Sequence, residues 1–327
     1  ARNIVAAGVG TFIGAASFSA DATFNSITIG KGANSVAGNT VLGESALDAA
    51  TTGGSNTAIG KDALGATTTG ASNVAVGSQA LDANTTGEEN TAIGTDSLGG
   101  NTTGNRNTAL GNDCLVSNTT ASDNTGIGHD VLKTNTTGAN NTAVGRAALG
   151  ANTTANNNTA VGRSAMAANT TGTENVSVGS LSLQSNTTTS YNTAVGYNAL
   201  NDNTASYNTA VGNIALEVNT TGTACIAIGA YALKRNTTAS HNIAVGNDAL
   251  GTNTTGERNI AIGHQSLNAS TTSDNNVAIG YQALNDNTTG AQNIAIGYQA
   301  MDANTTGLNN VAVGANALGN ATTADTN

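Results

Sequence analysis

Gly77-Ser-Gln-Ala-Leu81-Asp-Ala-Asn84-Thr-Thr-Gly87-Glu-Glu-Asn90-Thr-Ala-Ile93 is one copy of a 17-residue unit, and Gly94 opens the next. The frame glycines run from Gly43 to Gly314 at intervals of 17, with one interval of 16 between Gly196 and Gly212. A fixed period of this length marks a solenoid, in which each unit is one coil stacked on its neighbours. With the frame glycine as position 0, position 4 is Leu except at Met166 and Met301, and position 16 is always Val, Ile or Leu. Position 14 is Thr, Val or Ile, and position 15 is Ala apart from Val41, Gly126 and Ser177. Alternation and β-branched content over positions 13 to 16 predict a short strand in every coil. Glycines at position 0 and near position 10 leave no run long enough for a helix.

The fold class expected is therefore all-β: a parallel β-solenoid, or β-roll, of about 17 coils. Residues 39–327 form the repeat array, and residues 1–38, which break the period, form an irregular amino-terminal cap or docking segment. Each coil has a contour of about 56 Å, and the stack rises roughly 80 Å at ordinary strand spacing. Positions 14, 16 and 4 are read as facing a thin core, with 13 and 15 facing the other way. The near-constant Ala of position 15 then becomes a close-packing surface, with Ala143, Ala160 and Ala194 as the candidate face on which chains assemble. Asn at positions 7 and 13 predicts amide ladders, because each carboxamide can bond its equivalent above and below. The Asn-Thr-Thr-Gly segment reads as a turn. The missing residue between Gly196 and Gly212 is expected to shorten that turn, since a slip in the strands would invert every side chain.

Composition narrows the function. Net charge is −10 and charged residues make up 9 % of the chain, which argues against a nucleic-acid partner. No apolar run is long enough to span a bilayer, so no membrane insertion by this chain is expected. Cys114 and Cys225 lie on different tracks about six coils apart, roughly 30 Å, too far for a disulfide. His129, His241 and His264 do not cluster, and no carboxylate column recurs. No catalytic residue, metal site or cofactor is expected, and the chain is read as a non-enzyme. Tyr191 and Tyr207 share position 12 in adjacent coils, and Tyr281 and Tyr298 share position 1. These four are the candidate surface-ligand residues, for cell-surface glycans or proteins. Phe12, Phe18, Phe24 and Asn327 are candidates for docking at the ends, where a strand edge must be covered.

Asn141-Thr-Ala-Val-Gly145, Asn276-Val-Ala-Ile-Gly280 and Tyr197-Asn-Ala-Leu200 resemble two related repeats. One is the head repeat of trimeric autotransporter adhesins, the other the repeat shaft of phage and bacterial tail-fibre-like proteins. The resemblance covers roughly residues 39–327, and the 17-residue spacing is closer to the tail-fibre type. It implies a left-handed β-roll in a three-chain bundle, on an extracellular, cell or virion surface. The leading expectation is a structural or adhesive fibre built as a homotrimer. The alternatives are a subunit of a head-to-tail filament assembled by strand addition and, more weakly, an ice- or crystal-surface binder using its Thr columns.

Overall fold

The computed structural model describes residues 21–49, 51–320, 322, 323 and 325. Strands β1 (Ala22–Phe24) and β2 (Ile27–Gly30) form a hairpin, and β2 pairs antiparallel with β3 (Thr40–Gly43). From β3 onward the sheet is parallel, one strand per coil, through the three-residue strands β4 (Thr57–Ile59) to β19 (Val311–Val313). Register is maintained residue on residue: Thr159 lies beside Thr142, Ala160 beside Ala143, Val161 beside Val144. The hairpin thus covers the first edge of the ladder, within the same chain. Phe24 lies in β1 and is 58 % exposed. Phe12, Phe18 and Asn327 lie outside the described residues.

The alternation within the strand holds, but its phase is opposite to the one expected. Position 15 points inward: Ala58, Ala75, Ala92, Ala143, Ala160 and Ala194 are fully buried. The asparagines of position 13, the small residues of position 3 and the leucines of position 4 fill the rest of the interior, whereas positions 14 and 16 point out. Ala143, Ala160 and Ala194 therefore pack inside their own coil and cannot be the face where chains meet. The cause is the narrowness of the roll. With the residues of positions 3 and 4 on the opposite wall, the strand beyond the first coil, where Val41 is accommodated, has room for little more than a methyl. Ser177 (position 15) and Ser182 (position 3) show the meeting of the walls directly, with their hydroxyls 2.6 Å apart. Where position 3 is enlarged to Cys114 and Val131, position 15 shrinks to Gly126, whose added Cβ would lie 2.6 Å from Cys114 Sγ.

The anticipated amide ladders are present and buried. In the position-13 column, Asn73 donates its backbone N–H to Asn56 Oδ1 at 2.9 Å and its carboxamide to the Gly87 carbonyl at 2.9 Å. In the position-7 column, Asn101 Nδ2 donates to Asn84 Oδ1 at 3.0 Å and to the Gly104 carbonyl at 3.0 Å. Each buried polar group so paired avoids a desolvation cost of about 1–3 kcal/mol. Cys225 interrupts the first column. Its N–H still reaches Asn208 Oδ1 at 2.9 Å, but it offers the Asn242 N–H only sulfur, a weak acceptor. Cys225→Asn should therefore restore the ladder and stabilise the array by about 1 kcal/mol, read as a higher denaturant midpoint.

The shortened coil behaves as expected. β12 (Thr193–Val195), β13 (Thr209–Val211) and β14 (Ile226–Ile228) pair without a break. The loss is taken at the corner, where Asn203 Nδ2 bonds the carbonyl of Ala205, two residues on rather than three.

Positions 2, 4 and 12 adopt left-handed backbone in coil after coil, as in Gln79 (φ 59°), Leu81 (φ 53°) and Glu89 (φ 59°). These bends turn the chain without a helix, at a cost of roughly 1–2 kcal/mol for each ordinary L-residue. Ile214 is the β-branched member of the position-2 series, at φ 60°, where Asn198 and Asn316 stand in equivalent places. Asn tolerates this region far better than Ile. Ile214→Asn is expected to raise stability by about 1 kcal/mol, checked by equilibrium denaturation.

Candidate functional site

The inversion of the strand leaves two outward columns, 14 and 16, on one face of a ladder seventeen parallel strands long. Column 16 is aliphatic throughout, including Leu110 (43 % exposed). Column 14 is mostly Thr up to Thr209 and wholly aliphatic from Ile226 to Val311. No residue of β3 to β19 is charged. The middle side chain of each strand is buried and its two neighbours are at least partly exposed, so a β-branched surface faces solvent along the full ladder. Exposed contiguous apolar surface on this scale marks an interaction site.

Two edges flank this face: position 12 just before each strand and position 1 just after it. The aromatic candidates sit on these edges. Tyr191 and Tyr207 stack with near-parallel rings 5.1 Å apart. Tyr281 and Tyr298 stack at 5.4 Å, and His264 extends that column at 5.5 Å from Tyr281. Beside it, Gln282 donates to Gln265 at 2.9 Å and Gln299 to Gln282 at 3.0 Å. Tyr281, between His264 and Tyr298, spends both ring faces on stacking, whereas Tyr191, Tyr207 and Tyr298 each spend one. The structure thus brings each Tyr pair together but keeps the two pairs on opposite edges.

The threonine columns divide similarly. Position-8 hydroxyls are spent on the backbone, as in Thr85 Oγ1 to the Thr102 carbonyl at 3.0 Å, while position-9 threonines such as Thr86 form a single exposed column.

Charged groups are sparse and peripheral. Arg106 bonds Asp123 with Nε 2.7 Å from Oδ1, and this hydrogen bond holds the Asp123 carboxyl below its usual range. Lys133 bonds Asp130 at 2.7 Å and Asp113 at 3.3 Å, and chiefly that first bond lowers the Asp130 pKa. Burial, then the nearby Asp62, Asp48 and Asp96, raises that of Asp82. Both cysteines are free and buried, and burial pushes their thiols up to about 12 (Cys114) and about 11 (Cys225). Among the described residues no group of three or more His, Cys, Asp or Glu is placed to hold a metal ion. No described helix is long and apolar enough to cross a membrane.

Sequence reasoning missed the outer face, although a signal for it existed. Thr and Ile interchange freely at position 14, which a buried site would not accept, whereas position 15 is held at Ala. No protein-family model and no curated protein matches the chain.

Proposed function

We propose that this chain is a non-enzymatic, extracellular structural or adhesive fibre protein, whose copies pack along the outer face of the strand ladder into a three-chain shaft or head. The observation that carries this reading is the continuous, charge-free β-branched face. Seventeen strands about 4.8 Å apart and three residues wide present a flat strip of roughly 770 Å². A stable interface takes about 800 Å² from each partner. A second copy matches the strip in length, spacing and chemistry without placing like charges in contact, which matters for a chain of net charge −10. The resemblance to adhesin heads and tail-fibre shafts supports the same assembly and an extracellular, cell-surface or virion-surface location. Display of the aromatic edges to glycans or proteins of another surface is the adhesive part of the proposal.

Electron micrographs of the purified chain, with mass in solution, test it. The expected particle is a rod about 80 Å long with the mass of three chains. Particles one chain wide with monomer mass, or filaments growing without limit along the axis, would reject the bundle.

A further inference from the structure

The two edges of the outer face are not equivalent, and the difference fixes how copies are oriented. The edge after each strand, position 1, carries no carboxylate beyond Glu44 in the first coil; it holds Lys61, Arg146 and Arg163, exposed and without an ion pair among the described residues. The edge before each strand, positions 11 and 12, carries Glu88, Glu89, Asp123, Glu174, Glu257 and Asp274. Its two cations, Arg106 and Arg258, are already bonded to Asp123 and Glu257. Of the position-2 carboxylates, Asp113 and Asp130 reach Lys133 at position 5, and Asp130 also bonds His129 at position 1. Around Arg146 and Arg163, where position 2 is the uncharged Ala147 and Ser164, one edge is thus basic, while the opposite edge carries the carboxylates.

Two copies packed face to face and running parallel set the leading edge of one against the trailing edge of the other. Antiparallel copies set like edge against like edge. Resting on the reading of the outer face as a self-assembly surface, we infer that copies run parallel and in register, with the Arg146, Arg163 and Tyr197 edge of one clasping the Asp123, Glu174 and Tyr191–Tyr207 edge of the next. The residues align level by level. β12 is flanked by Tyr191 on one edge and Tyr197 on the other, 48 % and 47 % exposed. In register, Tyr197 meets the neighbour's Tyr191, with the neighbour's Tyr207 one coil beyond. Arg163 follows β10 (Thr159–Val161), and Glu174 precedes β11 (Val176–Val178), one coil along. Arg146 follows β9 (Thr142–Val144), and Asp123 precedes β8 (Thr125–Ile127), one coil back. A coil is about 4.8 Å, well within the reach of an arginine. Rim charges of this sort set register and partner orientation more than affinity, while the apolar columns hold the copies together. The edge pairing is heterologous, and repeated about a three-fold axis along the stack it closes into a ring of parallel chains.

Paired cysteines test it in the full-length chain. Within one chain, residues 191 and 197 are six residues apart across the sheet, about 20 Å, too far for a disulfide. The native thiols are buried. Y191C/Y197C under mild oxidation should give at least about ten-fold more covalent oligomer than Y191C or Y197C alone, because only the double variant carries both halves of the clasp. Arg163→Glu should lower that yield, and adding Glu174→Arg should recover it. If Y197C alone couples as well as the double variant, like edges meet and the parallel clasp is wrong, although the face still associates. Oligomers that fail to couple in any variant reject the edge pairing alone. A monomeric parent chain that never couples rejects the outer-face reading itself.

Discussion

Gly179→Ala is expected to be among the most damaging single substitutions in the array, lowering stability by roughly 3–5 kcal/mol. Gly179 sits at φ 139°, a region closed to residues with a Cβ, and an added Cβ would lie 2.3 Å from the carbonyl oxygen of Gly196 in the next coil. The clash is with backbone, so no side chain can rotate away, and the coils would have to separate at that level. In a stacked array stability is a sum of coil and nearest-neighbour terms. Weakening one junction should therefore split the single unfolding transition into two, with the coils on either side melting separately. Gly150→Ala is the control. Gly150 lies at position 5, where the nearest atom to an added Cβ is 3.3 Å away and other coils carry side chains such as Asp82. Its denaturation curve should shift by less than about 0.5 kcal/mol.

The second large effect is expected from the buried amide column. Asn158→Ala removes the oxygen that receives the Asn175 N–H at 3.0 Å and the Asn175 carboxamide at 3.2 Å. It also removes the carboxamide that donates to Asn141 Oδ1 and to the Gly172 carbonyl. Several buried groups lose their partners at once, and each costs about 1–3 kcal/mol, so a total loss of roughly 3–4 kcal/mol is expected once the site relaxes. Hydrogen exchange localises the effect: the Asn175 amide should lose protection while the Asn73 amide, five coils or more away, keeps it. Equal loss along the whole column would mean that the ladder acts as one cooperative unit rather than coil by coil.

Much of this architecture is legible in the sequence, for definite physical reasons. The 17-residue period gives the coil. The β-branched residues at 14 and 16 give the strand, and Asn84 and Asn90 with their equivalents give the ladders, because stacking identical carboxamides satisfies both their donors and their acceptors. Even the short coil is legible, since Leu200, Thr209 and Val211 keep their tracks and leave only the corner to absorb the deletion. The phase of the strand is not. Period-2 alternation identifies two faces without naming the inner one, and the habit of placing the larger apolar residue inside fails in a roll too thin to hold it. Leu81 and its equivalents already occupy the space, so Ala92 faces them and Ile93 is left outside. The left-handed bends at positions 2, 4 and 12 are equally invisible, because Gln79, Leu81 and Glu89 carry no preference for that backbone region. The candidate site is misread from sequence for the same reason as the strand: Ala143, Ala160 and Ala194 face the interior, and the assembly surface proposed instead is on the opposite side of the same strands.

Charge placed on the outer columns tests the central claim most directly. Val144, Val178 and Val195 are partly exposed and point away from the interior. Replacing all three by Lys leaves the roll's core untouched but sets like charges along the face on which neighbouring chains are proposed to pack. Sedimentation equilibrium of V144K/V178K/V195K should give the mass of a single chain, with an unchanged circular dichroism spectrum, where the parent is expected to give the mass of three. A triple variant that retains the parent's multimeric mass would show that the outer face does not hold the copies together.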